Sequence, residues 1–161
     1  MNIITARLTS PTIRQFNLLF GLLLLSACAI AEPELQIANA WIAEAPPASK
    51  VMAGYMDINN PVDTSLEITK VASADFSSIE IHRTVHENGM ARMLRQTGIT
   101  VPANGSFELK PGGYHLMMFN PVRAFKAGDS TQLIFTLADG NTARFDVTVK
   151  RATGYAVNGH Q

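Results

Sequence analysis

QLIFTLADGNTARFDVTV, residues 132–149, sets two apolar runs on either side of Asp139-Gly140. In the second run Phe145, Val147 and Val149 alternate with Arg144, Asp146 and Thr148. Period-two alternation puts one set of side chains on each face of a strand, and Asp-Gly supplies the positive φ that a tight turn needs. The stretch therefore reads as a β-hairpin. The same grammar runs outward from it. Pro46-Pro47, Asn60-Pro61, Asn88-Gly89, Asn104-Gly105, Pro111-Gly112-Gly113 and Ala127-Gly128-Asp129 punctuate short runs rich in Val, Ile, Thr, Phe and Tyr. Strands are expected near 36–44, 51–59, 64–73, 77–87, 90–97, 105–109, 114–120, 131–138 and 142–150. No long helical periodicity separates them. Regular short strands without helices between them predict an all-β sandwich or barrel.

The chain has 161 residues, 47% of them hydrophobic and 16% charged, which suits one globular domain with its own core. Thirteen basic residues balance thirteen acidic ones and form no basic stripe, so nucleic acid is excluded as a partner class. The N-terminus reads differently. Arg7 and Arg14 precede the apolar run 18–31, and the first acids are Glu32 and Glu34. A run of 14 residues is short of the ~20 that span a bilayer, so residues 1–31 read as a secretory signal peptide. Ala29-Ile30-Ala31 offers a cleavage site that frees a soluble protein. Leu25-Ser26-Ala27-Cys28 offers a competing lipobox that ends at Cys28 and would leave a lipid anchor there. Loss of residues 1–31 takes two of the 13 basic residues and no acid, leaving 11 against 13 and a charge of −2. A domain over 32–151 and a loose tail over 152–161 follow, in a periplasmic location.

Cys28 is the sole cysteine, so the exported domain has neither disulfide nor thiolate. Methionine is then the sulfur donor left for a soft metal. KPGGYHLMMFN, residues 110–120, puts His115, Met117 and Met118 into an apolar strand, where a histidine needs hydrogen-bond partners. Three of four histidines and four of the six methionines after Met1 fall between residues 82 and 118. On alternating faces, His115 and Met117 project together, with Leu116 and Met118 opposite. In SSIEIHRTVHE, Ile79, Ile81 and Val85 share one face, and Glu80, His82, Thr84 and His86 the other. Imidazole with thioether favours Cu(I) over magnesium or calcium, and methionine argues against structural zinc. A site of neutral His and Met side chains leaves the +1 charge uncompensated, which is tolerable near the surface. His86 and Met90 read as exposed or supporting neighbours, Met52, Met56 and Met118 as core, and Trp41 as a core anchor.

The spacing His82, ten residues, Met93, twenty-one residues, His115, one residue, Met117 resembles the H-x10-M-x21-H-x-M motif of the periplasmic copper chaperone family called PCu(A)C. EIHRTVHENGMARML and LKPGGYHLMMF resemble that family's blocks, and the likeness runs from about Ala38 to Arg151. The resemblance implies a cupredoxin-like Greek-key β-sandwich that binds Cu(I) through His82, Met93, His115 and Met117. It also implies transfer of copper to an acceptor protein, on a route toward the copper centres of cytochrome oxidase. Two departures stand out. Members often carry Met where this chain has His86. Many have a His- and Met-rich tail, where this chain offers only His160.

The reading is an exported metallochaperone that is not an enzyme. Its alternatives are a copper-dependent redox enzyme and a copper buffering or resistance protein. A blue-copper electron carrier needs a Cys ligand that the domain lacks. A hydrolase has no recognisable nucleophile elbow to stand on.

Overall fold

A computed structural model describes residues 35–152. The signal peptide, the lipobox at Cys28 and the tail beyond residue 152, with His160, lie outside the described residues. Ten strands follow one another: β1 (Gln36–Ala43), β2 (Val51–Asn60), β3 (Leu66–Ala72), β4 (Phe76–Glu87), β5 (Met90–Gln96), β6 (Ile99–Val101), β7 (Gly105–Leu109), β8 (Tyr114–Pro121), β9 (Ser130–Leu137) and β10 (Thr142–Lys150). No helix among the described residues is long and apolar enough to cross a membrane.

Nine of these strands overlie the nine expected from alternation and turn signals. The tenth, β6, has only three residues, too few for a period to show. Tertiary pairing makes it a strand: Leu66 to Ile68 of β3 run antiparallel to Val101 to Ile99. Burial of Ile99 and Val101 supports the pairing. A Cβ at Gly98 would stand 2.7 Å from the Ile68 carbonyl oxygen, so only glycine lets the chain approach β3 there.

The strands hydrogen-bond in the order β5-β4-β8-β2-β1-β10-β9-β3-β6, and β7 also pairs with β2. β1 and β10 are parallel, and the other pairings are antiparallel. β3 also meets β4 at Val71 and Ile79, so the sheet curls round and closes on itself. The result is the expected all-β sandwich, closed as a barrel. Its interior takes one residue in two from most strands. Ile58, Leu116, Met118, Leu133 and Phe135 are fully buried, and Met52 and Met56 lie beside them. Burying such a side chain contributes roughly 1.5–3 kcal/mol.

Trp41 corrects an expectation. It is only half-buried and tilts against Tyr55, with ring centroids 4.7 Å apart, while its neighbour Ile42 fills the core. A register shift between Ala38 and Trp41, with Asn39 at φ 52°, decides which β1 side chains turn inward.

Candidate metal centre

β4 and β5 form a hairpin through Asn88 and Gly89, whose φ values of 52° and 78° are both positive. Such a two-residue turn fixes register, and Glu87 pairs with Met90 directly across it. Counting back along the ladder brings Met93 opposite Thr84 and Arg95 opposite His82. Cross-strand partners share a face, so Met93 projects on the face that carries Glu80, His82 and His86. The turn dipeptide thus settles where Met93 points.

On the other side of β4 lies β8. His82 pairs with His115 and Glu80 with Met117, while Ile81 pairs with Leu116 and Ile79 with Met118. One ladder therefore carries two layers. Leu116 and Met118 go into the core with Ile81, and the histidines and Met117 go to the opposite face. All four candidate ligands share the outer face of β5-β4-β8. The imidazole centroids of His82 and His115 are 6.1 Å apart, with planes at 41°. With metal–nitrogen bonds of about 2.0–2.1 Å, rings this far apart can share one ion. Among the described residues no three His, Cys, Asp or Glu side chains are grouped to hold a metal. An ion bound here would need methionine sulfur.

Hydrogen bonds set the two rings in opposite senses. His115 Nδ1–H donates to the Gly113 carbonyl oxygen at 3.1 Å, which leaves Nε2 as the lone-pair nitrogen. That same carbonyl accepts the backbone N–H of Thr84 at 3.0 Å. His82 Nε2–H donates to Glu80 Oε2 at 2.8 Å, and its buried Nδ1 has no hydrogen-bond partner. A buried polar atom left unpaired costs about 1–3 kcal/mol. A ligand to a soft metal is one use that recovers such a cost. Glu80 also approaches Arg95, with Oε1 3.5 Å from its guanidinium nitrogen. The four expected ligands are neutral, but a carboxylate stands one hydrogen bond away from them. Burial pushes the His115 pKa below its ordinary value; the bond to Gly113 opposes this, and nearby His82 adds to it.

Exposure divides the set. His115 is 5% exposed, and Met93 is 58% exposed. Met117 and His82 are intermediate. Met93 therefore does not pack in the core. His86 and Met90 are exposed, and Met90 lies on the face opposite Met93, across from Glu87. Sequence reasoning put Glu80 on the histidine face but missed its contact with His82. The available signal was a carboxylate two positions before a candidate ligand on one strand.

The family described as putative lipoprotein LpqE-like matches residues 35–149. The chain belongs to the LpqE-like family. One relative of this LpqE-like chain is the putative lipoprotein Lxx21020 of Leifsonia xyli subsp. xyli, 27% identical over 158 residues, which cover 91% of this chain and 94% of the relative. The apo solution structure of DR1885 from Deinococcus radiodurans is 26% identical, covers 97% of this chain and 100% of its own, and has a TM-score of 0.60. The Cu(I) form of DR1885 is 27% identical with a TM-score of 0.59, covering 80% and 85% of the two chains. The copper-bound PCuAC domain from PmoF2, 20% identical, shares the fold at a TM-score of 0.62 over 75% of this chain and 96% of that one. The cupredoxin-like fold and the resemblance carried by the His and Met spacing are both borne out.

Proposed function

We propose that this LpqE-like protein is an exported metallochaperone that holds Cu(I) through His82, Met93, His115 and Met117 and passes it to an acceptor protein. The observation that carries this reading is the outer face of β5-β4-β8. There two imidazoles stand opposite each other, one with a buried unpaired nitrogen, and two thioethers share their face. Thioether and imidazole suit a soft monovalent ion. The Cu(I) form of a relative with the same fold supports the choice of cargo.

Transfer follows by ligand exchange. His115 and Gly113 hold one nitrogen steady, while exposed Met93 can be replaced by an incoming ligand without opening the core. A thiolate-bearing acceptor would take the ion from that side, and a route to cytochrome oxidase copper centres is the reading the motif favours. Among the described residues one cleft lies where β3 and β4 diverge, lined in part by Ser73, Ser78, Glu80 and Arg95. None of the four candidate ligands lines it. Glu80 lines that cleft and also hydrogen-bonds His82, so the cleft adjoins the ligand face, and oxygen consumption with a reductant is the readout that divides a carrier from a copper redox enzyme. The lipoprotein description of the family and of the Leifsonia relative favours an anchor at Cys28 over release after Ala31. Mass spectrometry of the membrane fraction should find lipid on Cys28, and an unmodified chain starting at Glu32 would reverse this.

The ligand set is tested by titrating Cu(I) against a competing chelator, with X-ray absorption counting sulfur and nitrogen neighbours. His115→Ala or Met117→Ala should weaken binding on the order of a hundredfold, about 2.7 kcal/mol. Wild-type affinity in both variants would overturn the assignment.

A further inference from the structure

We infer that Glu80 is a positioning residue: its carboxylate holds His82 in the Nε2–H tautomer, so that Nδ1 is the nitrogen offered to the metal. The inference rests on the ligand set proposed above and deepens it. A neutral imidazole has one N–H and one lone pair, and a carboxylate only accepts. Glu80 Oε2 lies 2.8 Å from His82 Nε2, so the proton belongs on Nε2 and the lone pair on Nδ1. Nδ1 is the buried side-chain nitrogen that has no other partner. The second oxygen of Glu80 faces Arg95 at 3.5 Å, which gives the carboxylate a second anchor on the neighbouring strand. The register supplies the rest. Glu80 is two residues from His82 on β4 and opposite Met117 on β8, so it lies within the candidate ligand face without joining a three-residue His, Asp or Glu cluster. A carboxylate bonded to the far nitrogen of a ligating histidine fixes ring orientation and raises its basicity. Here the carboxylate also sits between the site and the Arg95 guanidinium, which pairs its charge.

His115 provides an internal reference. Its Nδ1–H is held by a backbone carbonyl, so its tautomer is opposite to that of His82 and independent of Glu80. The experiment uses long-range ¹H–¹⁵N spectra of the imidazoles in the metal-free protein, together with a Cu(I) titration. Wild type should show Nε2–H for His82 and Nδ1–H for His115. Glu80→Ala should shift His82 toward the other tautomer, leave His115 unchanged and lower Cu(I) affinity roughly 10–100-fold. Glu80→Gln keeps an acceptor oxygen, so it should restore the tautomer and much of the affinity. Backbone amide shifts like those of wild type would show that the variants stay folded. A His82 tautomer already Nδ1–H in wild type, or unchanged in Glu80→Ala, overturns the inference. So does undiminished affinity in Glu80→Ala when His115→Ala is weakened. If His115→Ala binds Cu(I) like wild type, the ligand set fails separately, because the tautomer spectra contain no metal.

Discussion

β8 and β5 both lend a sulfur or nitrogen group to the same face of β4, yet they are built in opposite ways. β8 lies inside the sheet between β4 and β2, and its Leu116 and Met118 are buried completely. β5 is an edge strand, held by β4 alone, and all its residues but Gln96 are exposed. The lesson is a division of labour across one site. The β8 side is fixed by the core beneath it and by Gly113. The β5 side rests on a two-residue turn and a single ladder. A carrier has to hold its cargo and also let it go, and the two flanks suit those two demands.

Mutations can break this comparison or sharpen it. The largest effect should come from the layer beneath the site. Leu116→Ala removes a fully buried side chain and should cost 2–5 kcal/mol of stability, read from urea unfolding. Leu94→Ala on β5 should stay within about 0.5 kcal/mol, since surface changes away from special features do little. Equal losses in the two variants would mean that β5 is as much a part of the core as β8. Next comes Met93→Ala. It should leave unfolding unchanged and lower Cu(I) affinity about tenfold, or 1.4 kcal/mol, less than His115→Ala. A Met93 variant as damaging to binding as His115→Ala would remove the asymmetry.

The smallest effect concerns protons on the β8 side. The His115 pKa is depressed in the fold, chiefly by burial. Between its ordinary value of about 6.5 and the lower folded value, the unfolded chain binds more protons than the native one. This contribution to stability is therefore present above about pH 6.5 and is lost as pH falls through the folded value. Unfolding midpoints of the metal-free protein should fall on acidification, and His115→Asn should flatten the slope. An identical slope in that variant would show that His115 is not the group responsible.

Much of this was readable from the residues, because alternation and turn chemistry act locally. Asn88-Gly89 and Asp139-Gly140 mark their hairpins, and most of the longer strands carry their own periods, β5 being placed by its turn instead. β6 escaped because three residues have no period and owe their conformation to β3. Trp41 misled for a related reason: a shift of register within β1 overrides the expectation that the largest aromatic turns inward. At the site, spacing singled out His82, Met93, His115 and Met117, and alternation gave the faces. Which groups on a face touch depends on register with strands far away in sequence. The pairing of His82 with His115 was therefore beyond reach, whereas the hydrogen bond from His82 to Glu80 lies within one strand and had its signal in the two-residue spacing.

The carbonyl oxygen of Gly113 accepts both the amide of Thr84 and the ring proton of His115. That one atom ties the alignment of two strands to the rotation of an imidazole. Sliding β8 by a single residue would break the bond from Thr84 and turn His115, with its local bond to Gly113, toward the oily interior. A misalignment by one residue thus does not yield a nearly correct arrangement: the strands lock with the two histidines side by side, or the pair is lost.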